Sequence, residues 1–219
     1  ISSDTRKNVD FYTRVLGQRF VKKSVNQDDP GTYHLYYGDY NGSPGTILTF
    51  FPWAGVPRGR PGHGQAYATA YSIPAGSLPF WQKRFAELDI QVGEVETRFG
   101  EQVLTFFDPD GLRLELVATA EADARPPAPS KDVPAEHAIR GFHSSTLGLT
   151  SAKATAAVLV DTMGYREVAT AGARTRYTVA AGGPGTYVDL LTDPKLPRGL
   201  NGAGTIHHVA FRTPDDANQ

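Results

Sequence analysis

A fourfold internal repeat constrains this chain more than any other feature. Three segments read as amphipathic helices. The first follows Ser3-Asp4, carries Val9, Tyr12 and Leu16 on one side, and ends at Gly17. The second follows Ser77 and carries Leu78, Trp81, Phe85 and Leu88. The third follows Thr150-Ser151, carries Ala156, Leu159, Val160 and Met163, and ends at Gly164. Each has a capping-type residue at its start and apolar residues at helical spacing, and two end in the glycine that favours a left-handed cap. Ser77 lies 73 residues beyond Asp4, and Ser151 lies 74 beyond Ser77.

The strands repeat with the helices. Arg19 to Asn26, Tyr33 to Gly38 and Thr46 to Phe51 follow the first helix. Gln91 to Arg98, Gln102 to Phe107 and Leu112 to Val117 follow the second, with the turn Asp108-Pro109-Asp110-Gly111 between the last two. Tyr165 to Thr170, Arg174 to Ala180 and Thr186 to Leu191 follow the third. Gly42-Ser43-Pro44-Gly45-Thr46 returns as Gly182-Gly183-Pro184-Gly185-Thr186. A leading strand precedes the later helices at Gln65 to Ile73 and Gly141 to Leu149. A fourth, Thr205 to Arg212, precedes the helix start Thr213-Pro214-Asp215.

The unit is therefore strand–helix–strand–strand–strand. One unit alone leaves an apolar sheet face open and must pair with another. The expected fold class is α+β, with repeated βαβββ modules pairing into two open barrel-like sheets. The first module lacks its leading strand and the fourth has little more than its own, so the sequence looks cut at both ends. Residues 1–118 are the expected N-terminal half, 119–138 a proline-rich linker, and 139–219 the C-terminal half. A shorter Pro/Gly-rich stretch, Pro52 to Gly64, joins the first two modules and contains no phosphate-loop motif.

Composition narrows the function classes. The formal net charge is -1, without the basic surplus of a non-specific nucleic-acid binder. The absence of cysteine excludes disulfides, thiolate metal sites and cysteine nucleophiles. No apolar run reaches the roughly 18 residues of a membrane span. Ile1 to Lys7 lack the basic and apolar regions of a signal peptide, so a cytoplasmic protein is expected. A homo-oligomer is left open.

Aligned on the turns, Thr49, Glu115 and Asp189 occupy the same mid-strand position of the first three modules. A carboxylate buried there without a partner would be costly, so Glu115 and Asp189 are expected to face solvent. The leading strands carry His143 in the third module and the pair His207-His208 in the fourth. Neutral imidazole is the commonest metal ligand near neutral pH. Neighbours on a strand point to opposite faces, so only one of the pair is expected to face a given cavity. His34, in Tyr33-His34-Leu35-Tyr36-Tyr37, reads as a packed, satisfied strand residue; His63 and His137 read as solvated loop residues.

These features together resemble the vicinal oxygen chelate superfamily of glyoxalases, bleomycin-resistance proteins and extradiol dioxygenases. Longer strings resemble its hydroquinone-type ring-cleaving dioxygenase branch. They are Asn8-Val9-Asp10-Phe11-Tyr12, Asp28 to Asp39, Ser43 to Trp53 and Gly204-Thr205-Ile206-His207-His208-Val209-Ala210-Phe211-Arg212-Thr213-Pro214. The resemblance implies a mononuclear Fe(II) enzyme that opens an aromatic diol or hydroquinone with O2. It implies two His ligands and one Glu, with the first and fourth modules facing each other and the second pairing with the third. By that likeness His208 is the metal ligand, and His207 is the neighbouring group that takes a phenol proton. The other His would precede Ile1 and the Glu would follow Gln219.

Two alternatives remain. A glyoxalase-like metalloenzyme would use Glu115 and His143. A metal-free, bleomycin-resistance-type protein would bind an aromatic ligand with some of the 21 tyrosines and phenylalanines.

Overall fold

The computed structural model describes residues 1–213 and 215–218, apart from the side chains of Asp123 and Asn218. Helix α1 (Thr5–Asp10) starts at Asp4, whose carboxylate accepts the N–H groups of Arg6 and Lys7 at 2.8 and 3.0 Å. That satisfies two donors a helix start would otherwise leave open. A π turn over Phe11–Val15 continues it, and Gly17 closes the element at φ +68°. Helix α2 (Leu78–Glu87) buries Leu78, Trp81 and Phe85. Ser77 does not cap it by side chain; its hydroxyl turns to the Glu136 carbonyl at 3.2 Å. Helix α3 (Lys153–Ala157) begins later than its capping signal, and a π turn over Val158–Thr162 extends it.

Strands β1 (Arg19–Val25), β2 (Tyr33–Gly38) and β3 (Leu48–Phe50) form an antiparallel three-stranded sheet. The other eight strands are β4 (Gln65–Pro74), β5 (Val92–Arg98), β6 (Glu101–Phe107), β7 (Arg113–Thr119), β8 (Phe142–Gly148), β9 (Arg166–Ala171), β10 (Arg174–Thr178) and β11 (Tyr187–Leu191). They join in the order β5-β6-β7-β4-β8-β11-β10-β9. Each leading strand runs parallel to the last strand of its own module, β4 with β7 and β8 with β11. The two leading strands then meet antiparallel at the centre. The second and third modules thus share one continuous sheet, as the resemblance implied.

Period-two alternation decides what each face buries. On one face Tyr71, Ile73, Leu104, Phe106, Leu114 and Leu116 pack against Trp81 and Phe85 of α2 and Phe11 and Tyr12 of α1. Tyr12 in turn stacks on Tyr37 and Phe50 of the small sheet, at ring separations of 5.0 and 4.7 Å. A smaller cluster under α3 holds Leu159, Tyr165, Tyr177, Val188 and Leu190.

The expected strand Thr205 to Arg212 is absent. Residues 206–213 join no ladder; His207 lies against Phe51 and Phe211 against Tyr165. A strand exists only where a neighbour completes its hydrogen bonds, and no edge among the described residues pairs with this segment. The helix start expected at Thr213 is a 3-10 turn over Asp216–Asn218, and Pro214 lies outside the described residues.

Candidate active site

The small sheet has one core face and one open face. Leu35 and Tyr37 point into the core, so His34 and Tyr36, one residue out of phase, point the other way. The His34 ring lies 4.2 Å from Tyr36 and 4.4 Å from Phe51. Phe51 leads on to Trp53 at 5.3 Å and His207 at 5.8 Å. Trp53 is held by the turn Asp29-Pro30-Gly31-Thr32: its indole N–H donates to the Asp29 carboxylate at 2.8 Å, and the Thr32 hydroxyl donates to the same oxygen at 2.6 Å. Five rings from β2, the segment after β3 and the 206–213 segment therefore share one face.

A clasp of loops brings His207 there. Residues 57–63 bridge residues 198–203 through Arg58–Ala203, Arg60–Leu200 and His63–Arg198. Paired backbone bonds join Arg60 and Leu200, both at 2.9 Å. Gly62 permits the approach, because a Cβ there would run into the backbone of Pro197 to Gly199. Beyond the clasp, Thr205 is buried and its hydroxyl donates to the Gly202 carbonyl at 2.7 Å. Ile206 packs on the core, and His207 and His208 emerge exposed.

The two histidines do not diverge as strand neighbours would. With no ladder to enforce alternation, their Nδ1 atoms approach to 2.9 Å, so one ring donates to the other. Nδ1 of His208 is thereby engaged, leaving Nε2 as the nitrogen not committed to His207. His34 is near enough for the two imidazoles to feel each other's charge. Burial first, then His208 and Lys22, hold the His34 imidazole below its ordinary value and so neutral. The carboxylate beside this face, Asp29, is taken up by Trp53 and Thr32. Among the described residues no group of three or more His, Asp or Glu side chains is placed to hold a metal. The imidazoles gathered here could each give a metal one nitrogen, but the described residues do not form a complete metal site.

The other concavity, between the second and third modules, is built differently. Glu115 and Asp189 do not face solvent; both are about 1% exposed. Arginines from the same and neighbouring strands compensate them. Arg98 and Arg113 lie 2.8 and 3.6 Å from Glu115. Arg176 grips Asp189 through Nε and Nη2 at 2.8 and 3.1 Å and reaches Glu101 at 2.9 Å. Its guanidinium lies between the rings of Phe99 and Tyr187, at 4.3 and 4.6 Å. His143 is fully buried, bonded to Glu101 at 3.1 Å and to Ser144 at 3.2 Å. Glu115 and His143 therefore serve different partners, and the glyoxalase-like site built on the two is not formed. Guanidinium groups stand beside the carboxylates where that reading wanted a metal.

Two loop histidines also differ from expectation. His137 is half-buried, stacked on Phe80 at 4.4 Å and bonded to Ser77 at 3.1 Å. His63 is half-buried in the clasp. His34 is only half satisfied. Its Nδ1 meets the Tyr36 hydroxyl at 2.8 Å, while its Nε2 is buried without a partner. The sequence carried a signal for this: polar His34 and Tyr36 alternate with the core residues Leu35 and Tyr37.

Residues 1–116 match the family described as the Glyoxalase/Bleomycin resistance protein/Dioxygenase superfamily. The chain belongs to this superfamily. It is 45% identical over 214 residues to "Putative ring-cleaving dioxygenase MhqO" of Bacillus subtilis (strain 168), covering 98% of this chain and 67% of that protein. It is 35% identical over 214 residues to the chlorohydroquinone/hydroquinone 1,2-dioxygenase of Sphingobium indicum, covering 95% of this chain and 66% of the relative. The crystal structure of a "putative dioxygenase" from Bacillus subtilis superposes with a TM-score of 0.90 at 42% identity, over 99% of this chain and 69% of the other. Glyoxalase I of Zea mays shares the fold, with a TM-score of 0.65 at 14% identity, over 92% of this chain and 69% of the other. The expected α+β architecture of paired modules and the likeness to ring-cleaving dioxygenases both hold. No helix among the described residues is long and apolar enough to cross a membrane.

Proposed function

We propose that this chain is the larger part of an Fe(II)-dependent dioxygenase that opens a hydroquinone or catechol ring with O2. The observation that carries the reading is the gathering of His207, His208 and His34 on the aromatic face of the small sheet, with Phe51 5.8 Å from His207. The two dioxygenase-named relatives support it. In a ring-opening dioxygenation both oxygen atoms enter the product while one ring carbon–carbon bond breaks, so no external reductant is consumed.

In this reading His208 supplies one metal ligand through Nε2, and its Nδ1 contact with His207 fixes the tautomer and aims the ring. Iron, when bound, would align a phenolate and O2 side by side. Phe51 and Trp53 give the ring an apolar surface to lie on. His207, exposed and beside His208, would take the phenol proton at Nδ1 once its contact with His208 opens as the ring binds.

The test uses the full-length protein, stripped of metal and reconstituted with Fe(II). O2 uptake with hydroquinone should appear on reconstitution. His208→Ala should abolish both iron retention and uptake. His207→Ala should lower metal affinity or activity about 10- to 100-fold, the usual cost of losing a group that orients a metal ligand. Reconstituted protein that binds hydroquinone yet takes up no O2 overturns the proposal and points to a ring-binding module. Iron retained unchanged by His208→Ala overturns the assignment of that ligand.

A further inference from the structure

Trp53 presents the largest ring of the open face, and its main chain and side chain are anchored separately. Its N–H donates to the Ser2 carbonyl at 2.9 Å, and its carbonyl accepts the Val56 N–H at 3.2 Å. These bonds fix the backbone and leave the side-chain torsions free. The indole is held by one further bond, from Nε1–H to the Asp29 carboxylate at 2.8 Å, which ties the β1–β2 connection to the segment after β3. Asp29 is fixed in turn. Its carbonyl accepts the Thr32 N–H at 2.9 Å, and the carboxylate oxygen that takes the indole also takes the hydroxyl of buried Thr32 at 2.6 Å. Those two donors, Thr32 before Trp53, hold the carboxyl below its ordinary value and so ionised, and a charged acceptor makes the stronger bond.

The bond decides where the indole plane lies. Its centroid is 5.3 Å from that of Phe51 and 6.5 Å from that of His207, and the residue is only half-buried, so part of it stays open beside the histidine pair. An indole free to turn would surrender that freedom when another ring stacks on it, whereas one already held surrenders little. We propose that Asp29 is a positioning residue, whose bond to the Trp53 indole N–H holds that ring beside His207 as a platform for a stacked aromatic ligand. The role rests on the reading of the open face as the ring-binding site. Asp29 acts only through Trp53, so its loss falls on ring affinity and KM and leaves kcat nearly unchanged.

The experiment is a double-mutant cycle read by binding. Full-length, metal-loaded parent, Asp29→Ala, Trp53→Phe and the double variant are titrated with hydroquinone by calorimetry under argon. Asp29→Ala removes the acceptor and should weaken binding about 2- to 10-fold, the worth of one hydrogen bond. Asp29→Asn keeps an acceptor oxygen and should restore most of the affinity. Phe keeps a ring but offers no N–H, so in the Trp53→Phe background Asp29→Ala should cost nothing further. Without ligand, time-resolved emission anisotropy should gain a fast component in Asp29→Ala as the indole loosens, over a fixed background from the fully buried Trp81. An Asp29→Ala loss that persists undiminished in the Trp53→Phe background overturns the inference, because Asp29 would then serve only the fold of its own turn. If the parent binds no hydroquinone, the proposed function falls and takes the platform with it. If the parent binds it and Asp29→Ala binds as tightly, only the role of Asp29 falls.

Discussion

Replacing Arg176 by Met should be among the most damaging single changes in this chain. The guanidinium is 8% exposed and makes three charge-assisted bonds, two to Asp189 and one to Glu101. Met keeps the stem and the contacts with Phe99 and Tyr187, so little cavity opens. What remains is an uncompensated charge: Asp189 keeps only Arg174 at 3.4 Å. Removing one partner of a buried ion pair costs about 3–5 kcal/mol. For a chain of this size, each kcal/mol moves Tm by roughly 2–4 °C, so Tm should fall by about 6–20 °C. Thermal melts read by circular dichroism measure it directly. The double variant Arg176→Met/Asp189→Leu should recover most of the loss, because a well-packed apolar pair can replace a buried ion pair at little cost. A single variant within about 2 °C of the parent would refute the account of this concavity as an interior of mutually dependent charges.

Three further perturbations probe the frame. Trp81→Ala should cost about 3–5 kcal/mol in urea titration, since it empties the fully buried centre of the main core. Gly62→Ala should cost about 1–3 kcal/mol by forcing the clasp apart, and should speed proteolysis within residues 206–213, which the clasp helps to hold in place. Stability should peak between roughly pH 4.5 and 6. Burial raises the Asp108 carboxyl to about 6; its ionised form is a folded-state cost, relieved as pH falls through that value. Glu101 and Glu115 act oppositely. Burial pushes both up, but His143 and Arg176 around Glu101, and Arg98 and Arg174 around Glu115, outweigh it and hold both below 4.5. Their stabilisation is complete above that pH and is lost as pH falls through the lowered values. Urea midpoints followed from pH 7 to 3 should rise and then fall, and Asp108→Asn should remove the rise.

Much of the fold was legible because it repeats. The helix faces around Tyr12, Trp81 and Leu159 and the matching turns at Pro44 and Pro184 locate three modules from spacing alone. Local physics sets both signals, through caps, periodicity and glycine conformation. Glu115 and Asp189 were misread as solvent-facing for a non-local reason. Apart from Arg113, two residues before Glu115 on β7, their neutralising arginines come from β5 and β10, and nothing in a strand's own alternation announces a cation on another strand. The loss of the last strand has the same origin, since pairing is a property of two segments. His34 was half legible: alternation placed it opposite Leu35, but only the tertiary arrangement left its Nε2 buried without a partner. The His pair was found by type and resemblance, whereas its convergent ring geometry depends on the missing ladder.

The seam where β4 meets β8 joins two half-sheets of equal plan whose hollows have diverged. The hollow over the seam is plugged by its own side chains, so a visitor would have to evict an arginine to enter. Mutational drift that alters ligand preference should therefore accumulate on β2, the stretch around Phe51 and the strap carrying the histidine pair, while the plugged hollow tolerates only coordinated exchange.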